Sequence, residues 1–334
     1  MNTVQKIADE VKICNQNKKN FRDEKYDISW SKAILHKLSE NWQNRSRVRN
    51  EEISNNIFIQ ERQDYLSDLL PFNEHPIFIE ANEEEKKAIL TCGWLAYNEK
   101  TIELENFVLI PACLDVYNEV FPGVADNCCK RVISETLTDE SYHVLLTLHA
   151  SQITRQYRKL ERLKVPKSNL MFNIQKLQSR YPEPWQKSTI LLATAIVTEI
   201  FIGGYLSSLA QAKDIQPLSS ITTKAHMMDE LAHGCIFKEL TKLIYSAMSI
   251  TERDFFALVL PYPVCWLVDD DLNVWDILLK QINFKKGRTI INDSRRKLGS
   301  PMEQADFADL IKLAKELGID DINTRILECG ESLN

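Results

Sequence analysis

From Ser31 to about Ala247 apolar positions recur three and four residues apart, so the pattern predicts a succession of helices. From Ser31, the positions Ala33, Ile34, Leu35, Leu38 and Trp42 share one face. That helix runs into Arg45, Arg47 and Arg49, which read as a solvated basic terminus. Residues 83–97 form a second helix with Ile89, Leu90 and Trp94 inward and Glu and Lys outward. A third covers 103–121, with a kink expected at Pro111, and Pro122-Gly123 ends it. Long helices follow up to 163, from 185 to 212 and from 217 to 247, with room for one short helix in the connection 165–184. Beyond Ile250 the pattern weakens: Leu260-Pro-Tyr-Pro263 reads as a turn, and 274–282 and 307–317 as helices.

The pattern also sets the expected organisation. Residues 1–28, rich in Asn and Lys, read as a polar arm, 29–320 as one helical domain, and 321–334 as a peripheral tail. The run Ile190 to Ala210 is apolar nearly all round and long enough to cross a membrane. Glu199 at its centre argues otherwise, because a carboxylate in hydrocarbon is costly without a partner. A buried central helix is the better reading.

Composition sharpens the fold class. Nine glycines in 334 residues is well under half of usual usage, which is about 7%, and favours an all-α protein. A net charge of −6 speaks against a nucleic-acid partner or an anionic membrane surface. The eight cysteines are scattered, with no Cys-x-x-Cys, and read as reduced thiols of a cytoplasmic protein rather than a disulfide framework.

Candidate chemistry lies in two related strings, Asp139-Glu140-Ser-Tyr-His143 and His226-Met-Met-Asp229-Glu230-Leu-Ala-His233. On a helix, His226, Glu230 and His233 point the same way, as do Glu140 and His143. Glu105 and Glu199 stand one helix upstream of the two strings, with Glu103 competing for the role of Glu105. This is the ligand order of a four-helix di-metal carboxylate bundle: a lone Glu helix and a Glu-x-x-His helix, twice. Burying four carboxylates together is prohibitive unless cations offset them, and two divalent ions would balance four Glu. Mixed oxygen and imidazole ligands suit iron or manganese better than zinc. Asp139 and Asp229 sit about 100° around the helix from their Glu neighbours, placed to reach the histidine of the opposite helix and fix its ring. Cys235 and Tyr142, beside ligands in sequence, read as packing residues, and Arg295 and Arg296 as surface cations rather than partners of a substrate carboxylate.

The order Glu105, Glu140 with His143, Glu199, then His226, Glu230 and His233 resembles that of the AurF-like non-haem di-iron N-oxygenases, the p-aminobenzoate N-oxygenase type. His226 is the discriminating residue, since ferritins and ribonucleotide-reductase small subunits do without it. The segment Leu38-Ser-Glu-Asn-Trp42-Gln-Asn-Arg45 is similar as well, so the resemblance covers residues 30–300. It implies a ferritin-like or ribonucleotide-reductase-like helical bundle, commonly a homodimer, with two iron ions. Such enzymes use O2 to take a primary amine to a hydroxylamine, and in some cases on to nitroso or nitro. The amine is an arylamine or an amino-acid-derived amine, free or bound to a carrier protein. The sequence has no flavin or iron–sulfur motif, so an external reductase would supply electrons. Tyr97 falls where the family can place a tyrosine near the substrate. The runner-up reading is another carboxylate-bridged di-iron protein: a C–H oxidase, a radical generator or an iron oxidase.

Overall fold

The computed structural model describes residues 28–48, 58–296 and 307–331; Arg49 and residues 1–27 of the expected polar arm lie outside them. Among the described residues there is no strand, only an isolated bridge between Gln63 and Ile215. Helix α1 spans Ile28–Glu40, and one further turn follows at Trp42–Arg45. Helix α2, Glu83–Leu104, opens on a capping box in which the Asn82 side chain accepts from the Glu85 N–H and the Glu85 carboxylate from the Asn82 N–H.

The backbone then passes through one π-helical turn, Glu105–Leu109, into α3, Ile110–Tyr117. The two helices expected over 83–97 and 103–121 are therefore one continuous rod. Pro111 supplies part of the reason. It has no N–H for the carbonyl one turn back, and the wider turn before it absorbs the mismatch, the Ile110 N–H reaching the Glu105 carbonyl.

Helix α4, Asn127–Arg158, starts on Asp126, which accepts from the Cys129 N–H at 3.0 Å. It stops short of the expected 163, at Lys159, which has a φ of 57°. After α5, Asn169–Gln178, come the two central helices α6, Pro184–Gln211, and α7, Pro217–Ala247, each with a proline in its first turn. The periphery is built from α8, Ile250–Val259, α9, Pro261–Leu267, α10, Leu272–Gln281, α11, Gly287–Arg296, α12, Ala308–Glu316, and α13, Ile322–Glu331. Leu260 to Pro263, expected as a turn, instead opens α9, because prolines in a first turn replace N–H groups that have no intrahelical partner. Within 321–334, expected as a peripheral tail, α13 sends Ile322 and Ile326 into the core, and the Cys265 thiol lies 3.7 Å from the Ile326 carbonyl.

Two apolar cores divide the bundle lengthwise. One takes residues up to Ile133 on α4, up to Val197 on α6 and from Ile236 on α7; the other takes Ala150, Leu209 and Leu218 on the same helices. On α2 the second core reaches Leu95, and the first resumes at Leu104. On α4, α6 and α7 the polar residues singled out by the sequence fall in the gap between them, and Glu105 follows directly on Leu104. Helix α6 is the one described helix long and apolar enough to cross a membrane, and 61% of its apolar window is buried inside the bundle.

Glycine sets two close approaches. Gly123 has a φ of 86°, and a Cβ there would come within 2.5 Å of the Leu243 carbonyl oxygen. At Gly234 a Cβ would lie 2.8 Å from the carbonyl oxygen of Glu199, so α6 and α7 meet backbone to side at the level of the candidate site. Gly234→Ala should lower unfolding stability by about 1–3 kcal/mol through overpacking, read as a lower urea midpoint. A midpoint equal to that of the parent chain would mean the two helices do not meet there.

Candidate metal centre

Four backbone segments supply the centre: the π turn at Glu105, α4 with Glu140 and His143, α6 with Glu199, and α7 with His226, Glu230 and His233. None of the seven is more than 4% exposed. Glu105, His143, His226 and Glu230 bring one ligand-type atom each within 4.8 Å of one another, and so do Glu140, His143, Glu230 and His233. Glu199 joins the second group, its Oε2 4.0 Å from His233 Nδ1. The structure thus gathers every residue that the sequence proposes for the metals.

The histidines show how the helices cooperate. His143 turns Nδ1 toward Glu140 Oε2 at 2.7 Å and Glu230 Oε1 at 3.2 Å. His233 turns Nδ1 toward Glu140 Oε1 at 3.0 Å and Glu230 Oε1 at 3.5 Å. Behind them, His233 Nε2 is 3.3 Å from Asp139 Oδ2 and His143 Nε2 is 3.7 Å from Asp229 Oδ2. Both aspartates are fully buried, each on the helix opposite its histidine, as the sequence leads one to expect. His226 reaches in with Nε2, 3.0 Å from Glu230 Oε1 and 3.3 Å from Glu105 Oε1.

Charge is crowded here. Burial, then the neighbouring charge of Glu140, pushes the Glu105 carboxyl well above its usual range; burial and Glu230 do the same to Glu199. Burial also works to raise Glu140, but His233 and His143 outweigh it and hold that carboxyl down to about 2. Glu230 is held low in the same way, chiefly by His233 and His226 against burial. His226 is lowered by burial and by the adjacent His143, whose ring centroid is 4.0 Å away. Glu105 Oε2, Glu140 Oε1, Glu199 Oε2, Glu230 Oε1 and His233 Nδ1 are buried and, close as some of them lie to one another, none makes an aligned hydrogen bond. Buried lone pairs are rarely left so. Carboxylate oxygens and imidazole nitrogens converging on one interior volume fit two divalent cations, with the charge on four Glu balanced by them.

Other candidates resolve differently. Glu103, the rival of Glu105, instead accepts from the N–H and hydroxyl of Ser168 at 3.0 and 2.7 Å. Tyr97 stacks between Trp94 and Tyr205, centroids 5.4 and 5.7 Å away, and burial raises its hydroxyl pKa, with Tyr205, Glu105 and Glu230 adding to the shift. Tyr142 is exposed, and Arg295 and Arg296 lie exposed on α11, Arg295 donating to Asn273. Arg45, expected in a solvated terminus, is 5% exposed with its guanidinium 3.5 Å from Asp139. That pairing bridges residues remote in sequence, which a local pattern does not reveal. A cavity of about 140 Å³ between α6, α7 and α12 opens onto Glu199 and Glu230, with Gly203, Cys235, Lys238 and Glu239 in its walls.

Residues 28–318 match the family described as P-aminobenzoate N-oxygenase AurF. The chain is also similar to the 4-aminobenzoate N-oxygenase of Streptomyces thioluteus, at 30% identity over 259 residues, which are 77% of this chain and 77% of that relative. Fold, gathered ligands and these two likenesses agree: the chain belongs to the family of p-aminobenzoate N-oxygenase AurF, di-metal oxygenases with an all-helical frame.

Proposed function

We propose that this chain is a di-iron N-oxygenase acting on a primary arylamine, with O2 as co-substrate and an external reductase as electron source. The reaction balances as amine, O2, two electrons and two protons giving hydroxylamine and water. The observation that carries the reading is the cluster itself: four buried carboxylates and three imidazoles on four helices, with an outer aspartate behind two of the imidazoles. In this reading Glu105, Glu140, His143, Glu199, His226, Glu230 and His233 hold two iron ions, which when bound supply the redox chemistry toward O2. The likeness to a 4-aminobenzoate N-oxygenase supports an arylamine as the amine.

The chain's own residues define what surrounds the reacting amine. Tyr97 and its aromatic neighbours exclude water on the α2 side. Two turns before Glu105 on the same face of α2, Asn98 is fully buried with neither amide atom hydrogen-bonded by protein. That unpartnered amide supports a polar contact to the substrate from the α2 side. Asp139, within hydrogen-bond reach of His233 Nε2, keeps Nδ1 of that ring turned to the interior, and Asp229 stands 3.7 Å behind Nε2 of His143.

An anaerobic ferrous titration followed by rapid mixing with oxygen tests the reading. Saturation at two irons per chain is expected, with a transient visible band that decays faster when 4-aminobenzoate is added and hydroxylamine as product. Iron uptake without any reaction with oxygen would remove the catalytic claim. His226→Ala should keep iron through the remaining six ligands yet lose product formation at least tenfold. Full turnover in that variant would refute a catalytic part for the third imidazole.

A further inference from the structure

The turn after α1 makes contacts that the assignment of the centre does not use. Trp42 Nε1–H lies 3.0 Å from both carboxylate oxygens of Asp139, and the Ser46 hydroxyl donates to Asp139 Oδ1 at 2.6 Å. The buried Arg45 guanidinium stands beside the other oxygen. Immediately onward, the backbone N–H groups of Arg47 and Val48 donate to the two oxygens of Asp229 at 2.7 and 3.0 Å. One short stretch, far in sequence from both, therefore holds the two carboxylates that stand behind His233 and His143. Upstream, Ser31 anchors α1 to α7 by donating to the buried Glu239 at 2.6 Å.

A buried carboxylate with several acceptor sites turns until each finds a donor. Asp139 is fixed by the Ser46 hydroxyl at Oδ1, by the indole shared between both oxygens and by the guanidinium beside Oδ2, an orientation that keeps Oδ2 facing His233. Asp229 is fixed by two backbone N–H groups, which leave Oδ2 facing His143. Neither aspartate is held by its own helix.

We propose that Trp42–Val48 is a clasp that positions two of the three metal-facing imidazoles, His233 and His143, with Trp42 and Ser46 the positioning residues for His233. The inference rests on the di-metal reading of the centre. Loss of either donor frees Asp139 to rotate, and His233 then loses the acceptor that keeps Nδ1 turned toward Glu140 and Glu230. The effect is one-sided. Side-chain changes in the clasp reach the ion held by His233, while the backbone donors to Asp229 spare the one held by His143 and His226.

Cobalt(II) alone, added to the metal-free full-length chain, is the probe, because its visible bands report ligand geometry without turnover. Ser46→Ala and Trp42→Phe should each weaken one of two cobalt ions about tenfold, alter the bands of that ion and leave the other unchanged. They should also shrink the rise in melting temperature on cobalt loading, and Ser46→Thr, which keeps the hydroxyl, should restore all three. Equal drops in the metal-free and loaded melting temperatures, with affinity and bands as in the parent, would mean a packing role only and overturn the clasp. Should Trp42→Phe not fold, Ser46→Ala decides alone. A parent chain that takes up no cobalt overturns the centre itself and the clasp with it, whereas losses confined to the variants concern the clasp.

Discussion

Four glutamates share one interior volume, and the rest of the structure is arranged around the cost of keeping them there. Each has left water for a region between two apolar cores, where an uncompensated carboxylate costs several kcal/mol. The protein offsets part of this itself: His233 and His143 hold Glu140 in its charged form, and His233 and His226 do so for Glu230. For Glu105 and Glu199 the pull of His143 and His233 is outweighed, and both are pushed toward their protonated forms, chiefly by burial. The cluster therefore divides into two carboxylates that the histidines keep charged and two that need further positive charge. This is an electrostatic demand for cations, and it comes from the positions of the side chains alone.

The frame meets that demand by using one design twice. Helices α4 and α7 carry the same Asp-Glu-x-x-His string, and each sends its aspartate behind the histidine of the other. The remaining carboxylates come from one helix beside each of these two, Glu105 from the rod of α2 and α3, Glu199 from α6. Spacing between α6 and α7 is set at Gly234, where no side chain intervenes beside the Glu199 carbonyl. On the other rod the π turn opens at Glu105 itself, so the irregular backbone sits at the ligand, as such turns often do.

The metal-facing residues were legible in the sequence because helical periodicity alone fixes which of them share a face. His226, Glu230 and His233 needed no tertiary information to be grouped, and the reach of Asp139 and Asp229 to the opposite helix followed from the angle between adjacent residues. The long helices were readable for the same reason, 217–247 to the residue. What local pattern missed depends on distant partners. Arg45 at a polar helix end looks solvated until Asp139, on another helix, is brought beside it. Pro111 promised a kink, and only the backbone shows a π turn taking up the mismatch. The short helices α11 and α13 owe their burial to surfaces that other helices provide, so little in their own sequence announces them. Tyr97, placed near substrate by family resemblance, lies in an aromatic stack between α2 and α6, close enough to feel the charge of Glu105 and Glu230.

The two flanks of the centre are built of opposite materials, and that contrast bears on how it works. Toward α2 lie Trp94, Tyr97, Tyr205 and Tyr65, whose rings stack or hydrogen-bond in sequence and admit little water. Toward α12 lies the cavity that opens onto Glu199 and Glu230, its outer wall carrying Lys238, Lys242 and Lys312 against Glu239, Asp309 and Glu316. Lys242 bridges Glu239 and Glu316 at 3.0 Å each, and Lys238 pairs with Asp309 at 2.6 Å. Those opposing charges balance, so the wall adds no net charge of its own. The cavity ends on Glu199 and Glu230 of the cluster, so this flank, unlike the aromatic one, is polar from its outer wall to the centre.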